Sequence, residues 1–398
     1  MTARTPLEGV VVLDVTQIMA GPFCTLLLAD MGADVIKVEK PQGGDDTRGM
    51  GPPFIHGESA AFLAINRNKR SVVLNLKSEE GRDVFRRLAR RSDILVENFR
   101  PGTMESLDFH YEALRQINPT IIYCSVSGFG GTGPYRGRGG FDLVAQGMSG
   151  LISVTGHPDG PPTKVGVPIS DLSAGMYAAY GVLAAYVHRL KTGEGQYVDT
   201  SLLEGALAYT FWESAIYFAS GEIPRPMGSA HRLNAPYQVF ETADGAISIG
   251  AANQSTWEKL CGVLGRRDLL EDPRFRTNAD RVRHYQELGA LLQPVFHERK
   301  TAEWLARLET AGVPAGPIYN MADVYGDPHV RDRGMLVELE HPVAGKINNI
   351  GIPVKLSLTP GQIRRPAPLL GQHTDEVLVW LGLDPSEIAR LRESGAIN

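Results

Sequence analysis

Asp171 stands as a lone carboxylate between the extended, Gly/Pro-flanked run 165–170 and an apolar stretch from Leu172 to Val187. A carboxylate at the start of a helix meets free backbone N–H groups and the positive end of the helix dipole, which hold it ionised and ready to attack a carbonyl carbon. The same position suits a plain N-cap, so nucleophile and cap both stay open. Lys40, Lys77 and Arg100 each fall at or just beyond the end of a strand-like run. Three cations on one rim of a sheet would seat a phosphorylated ligand, and would equally serve as solvated rim charges. Gly128, Gly130 and Gly133 match G-x-G-x-x-G after a strand-like run, but Pro134, Gly137, Gly139 and Gly140 follow where a helix must open. A Gly-rich loop around some other ligand therefore fits better than a dinucleotide turn. No P-loop, G-x-S-x-G or H-E-x-x-H occurs, and the ten histidines lack ligand spacing, so no metal site is expected.

Positioning such groups falls to a chain of 398 residues, a length that suggests two domains or one large domain with a smaller one inserted, and its 43% hydrophobic and 21% charged content is ordinary for a globular protein. A net charge of -5 and the absence of a long basic run argue against a nucleic-acid partner. The basic run 86–91 reads as the solvated end of a helix. Cys24, Cys124 and Cys261 lie far apart in apolar surroundings, which points to buried thiols in a reducing compartment. No apolar run approaches the ~20 residues of a membrane span, and little precedes the first strand-like run; no membrane association is expected, and the cytoplasm is the expected location.

Strand-like runs at 10–15, 34–39, 71–76, 93–96, 120–125 and 195–199 alternate with helical patterns at 23–31, 78–91, 111–117 and from Leu172. Repeated βα units predict an α/β fold with a mostly parallel sheet, whose ligands bind beyond the carboxyl ends of the strands. A helix over 202–218 precedes the Gly/Pro/Arg-rich stretch 221–235. A hairpin at 237–241 and 247–250 and several short helices then read as a smaller α+β domain. The expected organisation is a large domain over 1–220, linker and small domain over 221–333, and a return to the large domain over 334–398, with strands in 334–358 and a last helix from about His373 to Leu381.

Taken together, the motifs resemble the class III CoA-transferases, of the formyl-CoA transferase type. They are Leu13-Asp14-Val15-Thr16 with Ala20-Gly21-Pro22, the run Gly32 to Glu39, Gly44-Asp45-Asp46-Thr47-Arg48, Asn66 to Ser71, Val96 to Gly102, Ser127 to Gly130 with Gly133-Pro134, and Leu369 to Thr374. Each is weak alone, and the order and spacing make the set specific along nearly the whole chain. The resemblance implies a Rossmann-like large domain, an interlocked homodimer, and Asp171 as the nucleophile. In that mechanism the carboxylate attacks an acyl-CoA thioester to give a mixed anhydride, and released CoA thiolate converts this to an aspartyl-CoA thioester, which an incoming carboxylic acid takes over. It also implies that coenzyme A, as substrate and with no tightly bound cofactor, is held by Ile18 and Met19 through their backbone and by Lys40, Leu74, Lys77, Asn98, Phe99 and Arg100. A lid would correspond to Gly250–Gln254. Departures are Ser106 and Gly139, where formyl-CoA transferase has cations; Arg100, Arg136 or Arg138 would then meet the phosphates.

The racemases that resemble this chain use a His immediately before the counterpart of Asp142. Phe141 stands there, and a phenyl ring carries no proton, so transfer is favoured over epimerisation. Asp142 reads equally as a supporting carboxylate or a loop cap. The segments 44–48, 51–54, 228–231 and 341–342 look most like the dicarboxylate branch, succinyl-CoA:glutarate transfer included, with an oxalate or formate acceptor as the near alternative. A second substrate carboxylate would need an Arg, for which Arg48, Arg67 and Arg232 are the expected choices.

Overall fold

Six short β-branched and aliphatic runs pair in parallel in the computed structural model, which describes residues 5–398. They are β1 (Val11–Asp14), β2 (Asp34–Glu39), β3 (Lys69–Val73), β4 (Ile94–Glu97), β5 (Ile122–Ser127) and β6 (Tyr197–Ser201). Their order across the sheet is β3-β2-β1-β4-β5-β6. Leu13 pairs with Ile36 on one side and Leu95 on the other. The chain thus builds outward from β1 to β3 and returns to β4, so the loops leaving β1 and β4 diverge and open a crevice at their carboxyl ends.

Alternation along β1 sends Val12 to one face and Leu13 to the other. On the Val12 face lie α1 (Ala20–Asp30) and the 24-residue α5 (Ile169–Thr192), through Cys24, Leu28, Ala178 and Val182. On the Leu13 face lie α2 (Glu79–Arg91) and α3 (Tyr111–Ile117), through Val84, Phe85, Leu88 and Leu114. Ser78 caps α2, with Glu79 and Glu80 in its first turn and Arg90 and Arg91 in its last, the arrangement that the helix dipole favours. Gly175 lets α5 approach α1: a Cβ there would sit 2.6 Å from the Ala20 carbonyl oxygen. Gly193, at φ 79°, ends α5. Two shorter helices, α4 (Asp142–Met148) and α6 (Leu202–Leu207), follow the ends of β5 and β6.

Two compact units divide the chain. The first takes residues up to 151, 165–214 and 329–398, and the second takes 152–164 and 215–328. The second contains a three-stranded antiparallel sheet of β7 (Tyr237–Glu241), β8 (Ala246–Gly250) and β9 (Ala315–Pro317), with β8 central. Helices α7 (Gln254–Leu264), α8 (Tyr285–Phe296) and α9 (Thr301–Ala311) enclose its own core around Phe240, Trp257, Phe296 and Trp304. Strands β10 (Leu336–His341) and β11 (Gly345–Ile350) pair in the first unit.

Several boundaries differ from the sequence reading. Strand β3 covers 69–73 rather than 71–76, because the chain turns at Asn68 (φ 64°) and leaves the sheet before the Ser78 cap. The helix expected over 202–218 breaks at a 3-10 turn, Ala208–Thr210, where the Thr210 hydroxyl donates to the Leu207 carbonyl at 2.8 Å. The helix α10 (Thr374–Trp380) is followed by another, α11 (Pro385–Glu393). Its signal is present in the sequence: Asp384 and Glu387 form a capping box around Pro385. Among the described residues no helix is long and apolar enough to cross a membrane.

Candidate active site

Two cavities open at the carboxyl edge of the six-stranded sheet. The first, about 850 Å³, lies beyond β1, β2 and β3 and is lined by Val15, Val38, Lys40, Leu74, Lys77 and Phe99 among others. Its walls are largely apolar, with polar groups such as Gln42 and Asn75 and two lysines among them, surroundings that suit a flat heterocycle bearing phosphates. Lys40 pairs with Asp46 and remains half exposed. Ser106 lines this cavity.

The second cavity, about 900 Å³, gathers Ile18, Met19, Asn98, Phe99, Arg100, Arg138, Phe141, Asp142 and Asp171. Gln17, Phe99 and Thr103 line both cavities, which makes the two spaces neighbours across the divergent loops of β1 and β4. All nine residues expected to bind or react therefore border one of two adjoining spaces. Gln17 and Thr103 are not singled out by the sequence; Gln17 lies inside the loop between Thr16 and Ile18, where no residue-type signal marks it.

Asp171 lies in the first turn of α5, past the N-cap position, which Pro168 occupies without a side-chain cap. The helix starts three residues earlier than expected because Leu172 N already donates to the Pro168 carbonyl. Capping is thus not what Asp171 does. Nor is it held ionised: burial, and next the nearby Asp142 carboxylate, push its carboxyl up to about 7. A carboxylate with an elevated pKa is a more basic, less solvated nucleophile once deprotonated.

Asp142 is the first residue of α4, and its two oxygens are engaged. Oδ1 accepts from Ser170 N at 2.9 Å, and Oδ2 accepts from Gln146 Nε2 at 2.8 Å. Gln146 Oε1 in turn accepts from Val165 N at 2.9 Å. Asp142 and Gln146 thus brace the segment that delivers Asp171. Both readings of Asp142 have a physical basis here, since the same carboxylate braces a loop and raises its neighbour's pKa.

The loop after β1 is braced by side chains from two other segments. Ile18 N donates to Asp45 Oδ1 at 3.1 Å, so that amide is already committed. The Asn98 side chain accepts from Gln17 N and donates to Gln17 O, both at 2.8 Å, and so orients the loop. Two of the three arginines expected for a second substrate carboxylate are engaged elsewhere. Arg48 grips Glu39 through Nε and Nη2, both at 2.7 Å, and lies over Phe62. Arg67 is buried against Asp30 and Asn349. Arg232 belongs to the second unit, where it donates to the Arg225 carbonyl. The cations that do border the Asp171 cavity are Arg100 and Arg138, the latter over the Tyr135 ring. The glycine-rich 128–133 turn opens no helix: Gly131 N donates to Asp199 Oδ2, and a carboxylate there opposes a phosphate. In the second unit, Asn253 caps α7 rather than lying in a free loop.

A parallel sheet with a two-part crevice at its switch point, lined in part by a carboxyl of raised pKa, is the framework of an α/β enzyme that handles an extended, partly anionic ligand. The chain belongs to CoA-transferase family III, whose model matches residues 7–374. It is 41% identical over 394 residues to the succinyl-CoA:glutarate CoA-transferase of Homo sapiens, covering 99% of this chain and 90% of that one. The succinyl-CoA:mesaconate CoA-transferase of Haloarcula marismortui is 41% identical over 396 residues, covering 95% and 97%. A crystal structure of a CAIB/BAIF family protein from Brucella suis superposes with a TM-score of 0.85 at 40% identity, over 95% of this chain and all of that one. The protein is a CoA-transferase, an enzyme of CoA-thioester substrates.

Proposed function

We propose that this enzyme moves CoA from succinyl-CoA to a second dicarboxylic acid through covalent intermediates on Asp171. The carrying observation is the Asp171 carboxyl itself, raised to about 7 in the lining of a cavity that adjoins a lysine-bearing, largely apolar slot. The ionised carboxylate adds to the thioester carbonyl and expels CoA thiolate, leaving a mixed anhydride. Thiolate attack on the aspartyl carbonyl then releases the first acid and forms an aspartyl-CoA thioester. The acceptor carboxylate reverses the two steps: it forms a new anhydride with Asp171, and thiolate attack on the acceptor's carbonyl frees Asp171. Holding the activated acyl group on the protein shields it from water.

Lys40, Leu74, Lys77 and Phe99 suit the adenine and phosphates in the first cavity. Ile18, Met19, Asn98 and Arg100 line the path toward Asp171. Arg138 is the residue we assign to the distal carboxylate, because Arg48 and Arg67 are engaged in ion pairs. The relatives named for glutarate and mesaconate support a dicarboxylate acceptor. Phe141 at the cavity wall offers no proton for epimerisation.

The sheet order supports a Rossmann-like reading of the large domain. An interlocked homodimer is supported by an exposed apolar stripe on α5, Met176, Tyr180, Leu183, Val187 and Leu190, whose alternating spacing of four and three residues is that of a helix-packing seam. Three buried free thiols suit a reducing compartment such as the cytoplasm.

The test is incubation with succinyl-CoA followed by peptide mapping. A hydroxylamine-sensitive adduct on the Asp171 peptide is expected, and its absence in a competent enzyme overturns the covalent route. A screen in which mono- and dicarboxylates serve equally overturns the dicarboxylate assignment.

A further inference from the structure

Ile18 has φ 68°, the left-handed region, which a β-branched side chain occupies only under constraint. The constraint is a buried ion pair. Asp45 Oδ1 accepts from Ile18 N at 3.1 Å and from Thr47 N at 2.9 Å, while Oδ2 lies 2.8 Å from Lys37 Nζ. The same ammonium donates to the Thr16 carbonyl at 2.8 Å. With Asn98 closing on both backbone groups of Gln17, the turn is gripped continuously from the Thr16 carbonyl to the Ile18 amide.

Both side chains of the pair are fully buried. Burial opposes each charge, yet Lys37 and the hydrogen bonds that Asp45 accepts hold Asp45 below the usual carboxylate range, while Asp14 and then Asp45 hold Lys37 above the usual lysine range. A second buried pair supports the first from within the sheet: Lys69 Nζ lies 3.0 Å from Asp14 Oδ2, and Asp14 Oδ1 accepts from Thr16 N at 2.9 Å. Buried pairs of this kind add little net stability compared with apolar residues of the same size. Their distinguishing product here is one backbone conformation, placed where it borders the ligand space: Gln17 lines both cavities, and Ile18 and Met19 line the one that holds Asp171.

We propose that the Lys37–Asp45 ion pair is a positioning device for acyl-CoA, which fixes the strained Ile18 turn so that Gln17, Ile18 and Met19 shape the passage between the two cavities. The inference rests on the transferase reading of that crevice. Neither residue touches the ligand space; Asp45 acts through Ile18, and Lys37 acts through Asp45 and Thr16.

The experiment compares acyl-CoA kinetics and melting of Asp45→Asn, Asp45→Glu, Ile18→Gly and the double variant Asp45→Asn/Ile18→Gly. Asp45→Asn keeps an acceptor but loses the charge. Asp45→Glu keeps the charge but displaces the acceptor, and serves as the folded probe should the first variant not fold. Each single Asp45 variant is expected to raise KM for acyl-CoA about tenfold while kcat stays within about threefold. Ile18→Gly accepts a positive φ without strain, so the Asp45→Asn change is expected to raise KM less in the Ile18→Gly background than in the wild-type one. A lower melting temperature with wild-type KM in both folded Asp45 variants overturns the proposal in favour of a purely structural pair. So does an Asp45→Asn change that raises KM as much in the Ile18→Gly background as in the wild-type one. Wild-type protein that binds no CoA by calorimetry would overturn the transferase reading, and this inference with it.

Discussion

Replacing Asp171 by asparagine separates its chemistry from its structural role. Asp171 caps no helix, and the change removes one ionisable group and little volume. Its titration moves from an ordinary 3.8 to about 7 because burial, and then Asp142, disfavour the charged form. The folded state therefore holds the proton more tightly than the unfolded chain. Stability is highest below the unfolded value near 4, falls as pH rises through the interval to about 7, and is level above it. Each pH unit between the two titrations corresponds to about 1.36 kcal/mol, which sets a ceiling of roughly 4 kcal/mol. The carboxyl is only partly shielded from solvent, which reduces this to about 1–2 kcal/mol. The Asp171→Asn variant carries no such penalty. It should be more stable than wild type above pH 7, by about 1–2 °C for a chain of this length, with the gap closing toward pH 4. Melting curves from pH 5 to 9 measure the gap. In the same series, wild-type kcat/KM should rise through an apparent pKa near 7, while the variant loses activity by on the order of 10⁴-fold or more. A folded Asp171→Asn protein that transfers CoA at the normal rate refutes the nucleophile. A stability gap that ignores pH refutes the raised carboxyl.

Four other outcomes are expected. Asp142→Asn keeps an acceptor for Ser170 N but removes the charge facing Asp171, so the pH–rate profile shifts to lower pH, which initial rates from pH 5 to 9 would reveal. Lys77→Ala should raise KM for acyl-CoA by about three- to tenfold, with the difference shrinking as salt is added. Lys69→Met strips a fully buried partner from Asp14 and should cost about 3–5 kcal/mol in a denaturant titration. Gly175→Ala forces a methyl group to within 2.6 Å of the Ala20 carbonyl unless α5 shifts, and should cost about 1–3 kcal/mol together with activity, because the same helix carries Asp171.

Much of the fold is legible locally. Asp34–Glu39 and Tyr111–Ile117 have the boundaries their patterns predict, since short strands and short helices depend on near-neighbour chemistry. The α11 capping box is written equally plainly in Asp384 and Glu387. The split of the 202–218 helix and the early start of α5 are not legible, because a 3-10 turn and a Pro-led first turn are chosen by packing around them.

The chain by itself determined which residue types meet at the carboxyl edge of a parallel sheet: Asp171 heading a helix, lysines after strands, and motifs that mark a family. Only the tertiary structure decided what each of them does there. It took Arg48 and Arg67 into ion pairs, committed the Ile18 amide to Asp45, turned Asn98 into a brace for Gln17, and raised Asp171 where a helix N-terminus alone would have lowered it. The reason is that a side chain's identity travels with the sequence, whereas its charge state and its free hydrogen-bonding capacity depend on which distant groups, and how much water, the fold brings against it.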